Sequence, residues 1–68
     1  MRFQRLQDLR IDHDMTQQEV ADYLKCHRNV YSRYELGNRM IPIDLMIKLA
    51  DLYGVSLDYL TGRTDKNE

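Results

Sequence analysis

Residues 16–37 read TQQEVADYLKCHRNVYSRYELG, and their pattern predicts two short helices meeting at a sharp corner. Thr16 with Glu19 three residues later is a capping box, in which hydroxyl and carboxylate each take up a backbone N–H that the helix start leaves free. Val20, Ala21 and Leu24 follow at helical spacing, so one face is apolar and the other carries Gln18, Glu19 and Asp22. A second helix is expected from His27 or Arg28 to Leu36, ended by the left-handed geometry that Gly37 adopts easily. Tyr31 and Tyr34, three apart, form its inward stripe, while Arg28, Asn29, Ser32 and Arg33 occupy the remainder. Val30 falls off that stripe and is expected to be exposed. Ala21 suits a steep crossing, where two backbones approach too closely for a large side chain.

Working outward, Phe3, Leu6 and Leu9 set the stripe of an earlier helix that ends near His13-Asp14. Aspartate tolerates left-handed geometry better than most residues, and Met15 then returns an apolar side chain to the core. After Gly37, the segment Asn38-Arg39-Met40-Ile41-Pro42 leads into a fourth helix, Pro42 suiting its opening. Ile43, Met46, Ile47, Leu49, Ala50, Leu52 and Tyr53 make that helix apolar over a wide face, and Gly54 stops it. Ser56 caps a short fifth helix with Leu57 and Leu60 inward, ending at Gly62. One domain is expected over residues 1–62, followed by a polar, mobile tail, 63–68.

The stretch 16–37 resembles the helix-turn-helix of the lambda-repressor-like, Cro/Xre-type DNA-binding family. The residues that carry the resemblance are Thr16-Gln17, Ala21, Leu24 and the run Tyr31-Ser32-Arg33-Tyr34-Glu35 closing on Gly37. It extends from roughly Phe3 to Leu60. Two positions depart from the pattern: Lys25 stands at the corner often filled by glycine, and His27 where Ser or Thr is common. A left-handed lysine costs about 1 kcal/mol relative to glycine, and the second helix loses a preferred cap. The resemblance implies an all-α, compact five-helix domain whose third helix lies in the DNA major groove, with the second crossing above it. It also implies an ion pair between Arg10 and Glu35, tying helix 1 to helix 3.

Charge distribution agrees with a nucleic-acid partner although the net charge is −1. Residues 1–24 and 49–68 each carry −2, whereas residues 25–48 hold Lys25, Arg28, Arg33, Arg39 and Lys48 against Glu35 and Asp44. Positive charge therefore sits on the reading helix and the loop after it, as an electrostatic footprint for phosphate requires. Arg28 and Arg33 are suited to fork onto guanine O6 and N7, with phosphate as the alternative target for one of them, and Asn29 can pair with adenine N6 and N7. Ser32 is a weaker base contact. By the resemblance, Gln17 touches phosphate at the start of helix 2, and Asn38, Arg39 and His27 fit backbone contacts. Tyr31 and Tyr34 belong to the core rather than to base stacking.

Other chemistries do not assemble. The lone Cys26 permits no internal disulfide, and Cys26-His27 with only His13 besides provides neither a four-ligand zinc site nor a nucleophile with an oriented base. Metal, cofactor, small-molecule substrate and enzymatic activity are not expected. Nothing resembles a signal peptide or a membrane-spanning run, so a cytoplasmic location without membrane contact is expected. The expected function is a sequence-specific DNA-binding transcriptional regulator, a repressor occupying a near-palindromic operator as a homodimer with half-sites about 34 Å apart. Self-association is expected through helix 5 and the end of helix 4, around Tyr53, Val55, Leu57 and Tyr59. The rival reading is a protein-interaction module, such as an antitoxin-like subunit with secondary DNA binding.

Overall fold

The computed structural model describes residues 2–65. Within them the chain forms five helices and no strand: α1 Gln4–Asp12, α2 Gln17–Leu24, α3 Arg28–Leu36, α4 Ile43–Tyr53 and α5 Leu57–Leu60. The largest completely buried side chains are Leu6, Val20, Tyr31, Leu49 and Leu60, one from each helix. Each helix thus has its apolar stripe turned to a common centre, which is how short helices that are marginal alone become stable together.

All five helices end the same way. Asp14, Lys25, Gly37, Gly54 and Gly62 adopt positive φ, and in each case the next residue's N–H returns five residues: Met15 to Arg10, Cys26 to Ala21, Asn38 to Arg33, Val55 to Ala50 and Arg63 to Asp58, at 2.8–3.0 Å. The left-handed residue's own N–H bonds three residues back in all five. This pair of bonds satisfies carbonyls that the helix end would otherwise leave free and turns the chain sharply. Gly37 carries a second constraint, since a Cβ there would stand 2.8 Å from Arg2 Cβ and 2.9 Å from Arg2 Cα.

Three expectations need correction. Val30 is half-buried and packs against the core rather than standing exposed, so α3 buries more than its tyrosine stripe alone. The wide apolar face of α4 is only partly used: Met46, Leu49, Ala50 and Tyr53 are buried, whereas Ile43 and Ile47 remain 66% and 46% exposed. The surface expected for self-association is occupied, as Tyr53 and Val55 are core residues and Leu57 and Tyr59 pack against it.

Tyr59 is covered by Arg5, whose guanidinium lies 4.1 Å from the ring centre. Arg5 also donates to Tyr59 O at 2.8 Å, to Thr64 O, and to Asp65 Oδ1 at 2.9 Å. One side chain of α1 therefore holds the chain that follows α5. Thr64 and Asp65 are engaged where a mobile tail was expected, and the rest of that segment, 66–68, lies outside the described residues.

Candidate nucleic-acid interface

The start of α2 is fixed by the capping box: Thr16 Oγ1 accepts from Glu19 N at 3.1 Å, and Thr16 N donates to Glu19 Oε1 at 2.9 Å. At the other end Lys25, with φ 58° and ψ 43°, makes the corner. Ala21 is fully buried there, consistent with close approach of α2 and α3. His27 takes the position before α3 in extended geometry and gives its helix no side-chain cap. Val30 N donates to His27 O at 3.0 Å, so within the first turn it is the N–H groups of Arg28 and Asn29 that face solvent or an anion, with the positive end of the helix dipole behind them.

On α3 the buried residues are Tyr31, Tyr34 and Glu35. The rest of the helix surface presents Arg28, Asn29 and Arg33 exposed and Ser32 half-buried. Arg28 and Ser32 form one row and Asn29 and Arg33 its neighbour, each pair one turn apart. Guanidinium, amide and hydroxyl groups in two adjacent rows offer donors and acceptors to base edges, while Asn38 and Arg39 are exposed immediately beyond the helix. His27 and Lys25 are exposed at its other end.

Behind this face lies a polar cluster. Arg10 Nε donates to Glu35 Oε2 at 2.8 Å and Arg10 Nη2 to Glu35 Oε1 at 3.2 Å, a two-point pairing that fixes the planes of both groups. Arg10 Nη1 also donates to Met15 O at 2.9 Å, so α1, the turn before α2 and α3 are joined by one guanidinium. Glu35 is 3% exposed. Its hydrogen bond raises the Arg10 pKa further, against the opposing effect of burial, so the guanidinium is permanently charged. Tyr31 is pushed up first by burial and then by the Glu35 carboxylate, and Tyr53 is pushed up to about 12 chiefly by burial.

Gln17 opens α2 on the side of the Arg10–Glu35 pair. Its side chain is half-buried, and Nε2 reaches Glu35 Oε1 at 3.5 Å. The second amide hydrogen and the backbone N–H are what it has left for a phosphate. Sequence reasoning assigned no role to Leu36, which is 55% exposed. The signal was present, because Leu36 continues the row Arg28–Ser32 by one more turn and lies off the tyrosine stripe. Burial pushes the Cys26 thiol up, away from the thiolate character a nucleophile needs. Among the described residues no group of three or more His, Cys, Asp or Glu side chains is placed to hold a metal ion. None of their helices is long and apolar enough to cross a membrane.

Two short helices joined by a left-handed corner, the second with one face in the core and a polar face outside, define a helix-turn-helix protein. Residues 6–60 match the family model described as Helix-turn-helix, and the chain belongs to that family, in its lambda-repressor-like, Cro/Xre-type form. It is 39% identical over 62 residues to the uncharacterized HTH-type transcriptional regulator YobD of Bacillus subtilis (strain 168), covering 91% of this chain and 55% of that protein. Against the HTH-type transcriptional regulator ImmR of the same organism the identity is 40% over 67 residues, covering 94% and 53%. Against the cryptic phage CTXphi transcriptional repressor RstR of Vibrio cholerae it is 33% over 63 residues, covering 93% and 57%. The chain thus spans little more than half the length of these relatives. No solved structure matches it significantly.

Proposed function

We propose that this protein is a sequence-specific DNA-binding transcriptional regulator, a cytoplasmic repressor that occupies a near-palindromic operator as a homodimer and needs no cofactor or small-molecule substrate. The observation that carries the reading is the solvent face of α3, where Arg28, Asn29 and Arg33 project from a helix locked from behind by the Arg10–Glu35 pair. A helix held in this way presents its side chains at fixed spacing, which direct readout of base edges requires. Kinship with proteins named transcriptional regulators and, in one case, repressor supports the same reading.

In this mechanism α3 enters the major groove. Asn29 and one of Arg28 and Arg33 read base edges, and the other arginine is available to phosphate; Ser32 adds a shorter contact. Gln17 through its backbone N–H, His27, Asn38 and Arg39 hold the DNA backbone on either side, which fixes register without carrying sequence information. Repression follows from occupancy, since a bound dimer obstructs polymerase.

The deciding experiment is selection of bound sequences from a random duplex pool at two salt concentrations. The expected product is an inverted repeat whose half-sites lie about one helical turn apart. Recovery of no enriched site, with weak binding lost at moderate salt, would overturn operator recognition and favour a protein-interaction role for the fold.

A further inference from the structure

Six large hydrophobic side chains are exposed among the described residues, and four of them, Leu36, Met40, Ile43 and Ile47, fall between the last residue of α3 and the second turn of α4. Ile43 and Ile47 stand one turn apart on one side of α4, and the exposed Met40 lies in the extended segment that leads into that helix. Tyr23 borders the same helix, its hydroxyl donating to Lys48 O at 3.4 Å, and its ring is 41% exposed. Scattered single exposures need no explanation, but a concentration of this kind on a small domain marks a contact surface.

The charges beside it indicate what covers it. Asp44 and Lys48 are both exposed, one turn apart, in the row adjacent to Ile43 and Ile47. They do not pair with each other or with any described residue within 4.0 Å; the ion pairs among the described residues are Arg5–Asp65 and Arg10–Glu35. A helix carrying one acid and one base a turn apart is complementary to an antiparallel copy of itself. About a two-fold axis near the middle of this segment, Asp44 of each copy faces Lys48 of the other, while Ile43 and Ile47 close between them. That is the self-complementary arrangement a two-fold interface demands.

We infer that the Ile43–Lys48 face of α4, extended by Met40 and Leu36, is the surface through which two copies of this chain associate. The inference deepens the proposed function and takes its purpose, though not its evidence, from that reading. The domain measures 30 × 23 × 19 Å, so the centres of two touching copies lie within that range. Leu36 closes α3 and Arg28 opens it, about 12 Å apart along the axis. A contact at the closing end leaves the Arg28–Asn29 ends free and the exposed segment Asn38-Arg39 beside the axis. Two operator half-sites about 34 Å apart are within reach of such a pair.

The test is sedimentation equilibrium on the full chain from micromolar to about 0.5 mM, with helicity and thermal unfolding recorded for every variant. The wild type is expected to show a concentration-dependent dimer. Ile47→Lys is expected to weaken it by at least about tenfold, and Asp44→Lys by a similar factor because it sets four like charges together. The double exchange Asp44→Lys with Lys48→Asp restores complementarity and is expected to recover the dimer. A wild type that stays monomeric throughout overturns the inference and leaves the face to a different protein; so does a dimer that Ile47→Lys and Asp44→Lys leave intact. Should Ile47→Lys impair folding, the charge exchange decides alone. Binding to a single half-site duplex, read in parallel, separates the two proposals. Loss of dimer with half-site binding retained supports both, and a dimer that binds no DNA removes the operator reading while the interface stands.

Discussion

Glu35 is buried to 3% exposure and faces Arg10, Gln17 and Tyr31 at once, so its charge is compensated only while Arg10 stays in place. Truncating one member of such a pair strands the other. Glu35→Ala is expected to cost about 3–5 kcal/mol, and the double change Arg10→Met with Glu35→Leu much less, because no unpaired charge remains; urea unfolding of both variants checks this. The pair was legible in the sequence only through the family resemblance, since nothing local to Arg10 or Glu35 announces a partner twenty-five residues away. The neighbouring phenols give a pH dependence. Tyr31 and Tyr53 hold their protons above the ordinary range near 10, Tyr53 to about 12, chiefly through burial. The folded chain therefore binds more protons than the unfolded one between these values, and stability that is fully present below pH about 10 is lost as pH rises through about 12. Thermal unfolding from pH 8 to 11.5 is expected to show a falling midpoint, with a shallower fall in Tyr53→Phe. On the outer face, Arg28→Ala is expected to cost roughly 1–3 kcal/mol on the preferred operator and little on random DNA. Arg39→Ala is expected to weaken all sequences alike and to reduce the salt slope by about one. Titration of operator and random duplexes at several salt concentrations separates the two, and equal losses for Arg28→Ala would remove its base-reading role.

At the scale of elements, the legible part was the punctuation. Thr16 with Glu19, Gly37, Gly54 and Ser56 act within one turn of their own position, so a linear reading finds them, and even Asp14 and Lys25 adopt the left-handed geometry anticipated for them. What α4 packs against was not legible. An apolar run such as Ile43–Tyr53 gives period but not the number of neighbours available, and in a domain of five short helices one side of α4 has none, which leaves Ile43 and Ile47 outside while Tyr53 goes in. Arg5 eluded the reading for a related reason, its partners lying up to sixty residues away. The repeated helix ending allows one comparison with a clear direction. Gly54 at φ 68° has nothing within 4 Å of where a Cβ would stand, whereas Gly37 at φ 80° faces Arg2 backbone atoms at 2.9 and 3.0 Å. Gly54→Ala is expected to cost the conformational term alone, about 1–2 kcal/mol. Gly37→Ala is expected to cost more, because the residues ahead of α1 must also move. Chemical denaturation of the two variants measures the difference, and equal losses would show that the contact with Arg2 contributes nothing.

For the molecule as a whole, charge and size set the terms of its activity. A net charge of −1 hides a +3 segment, residues 25–48, between two segments of −2, and the fold places Arg28, Arg33 and Arg39 of that segment on the outside. A chain of 68 residues has a small core and little stability in reserve. Any ligand that binds only the folded form therefore has a large relative effect on it, and operator DNA is such a ligand under the proposed function. Free duplex at about a hundred times its dissociation constant adds about 2.7 kcal/mol to the folded state. In a domain of this size each kcal/mol moves the midpoint by about 4–8 °C, so a rise of about 10–20 °C is expected. The measurement is thermal unfolding with the selected operator, with a scrambled duplex of equal length, and without DNA, all at the same salt. The operator is expected to give the full rise and the scrambled duplex a small fraction of it. Equal shifts with both duplexes would mean that phosphate alone is bound, and that the ordered donors of α3 do not distinguish one sequence from another.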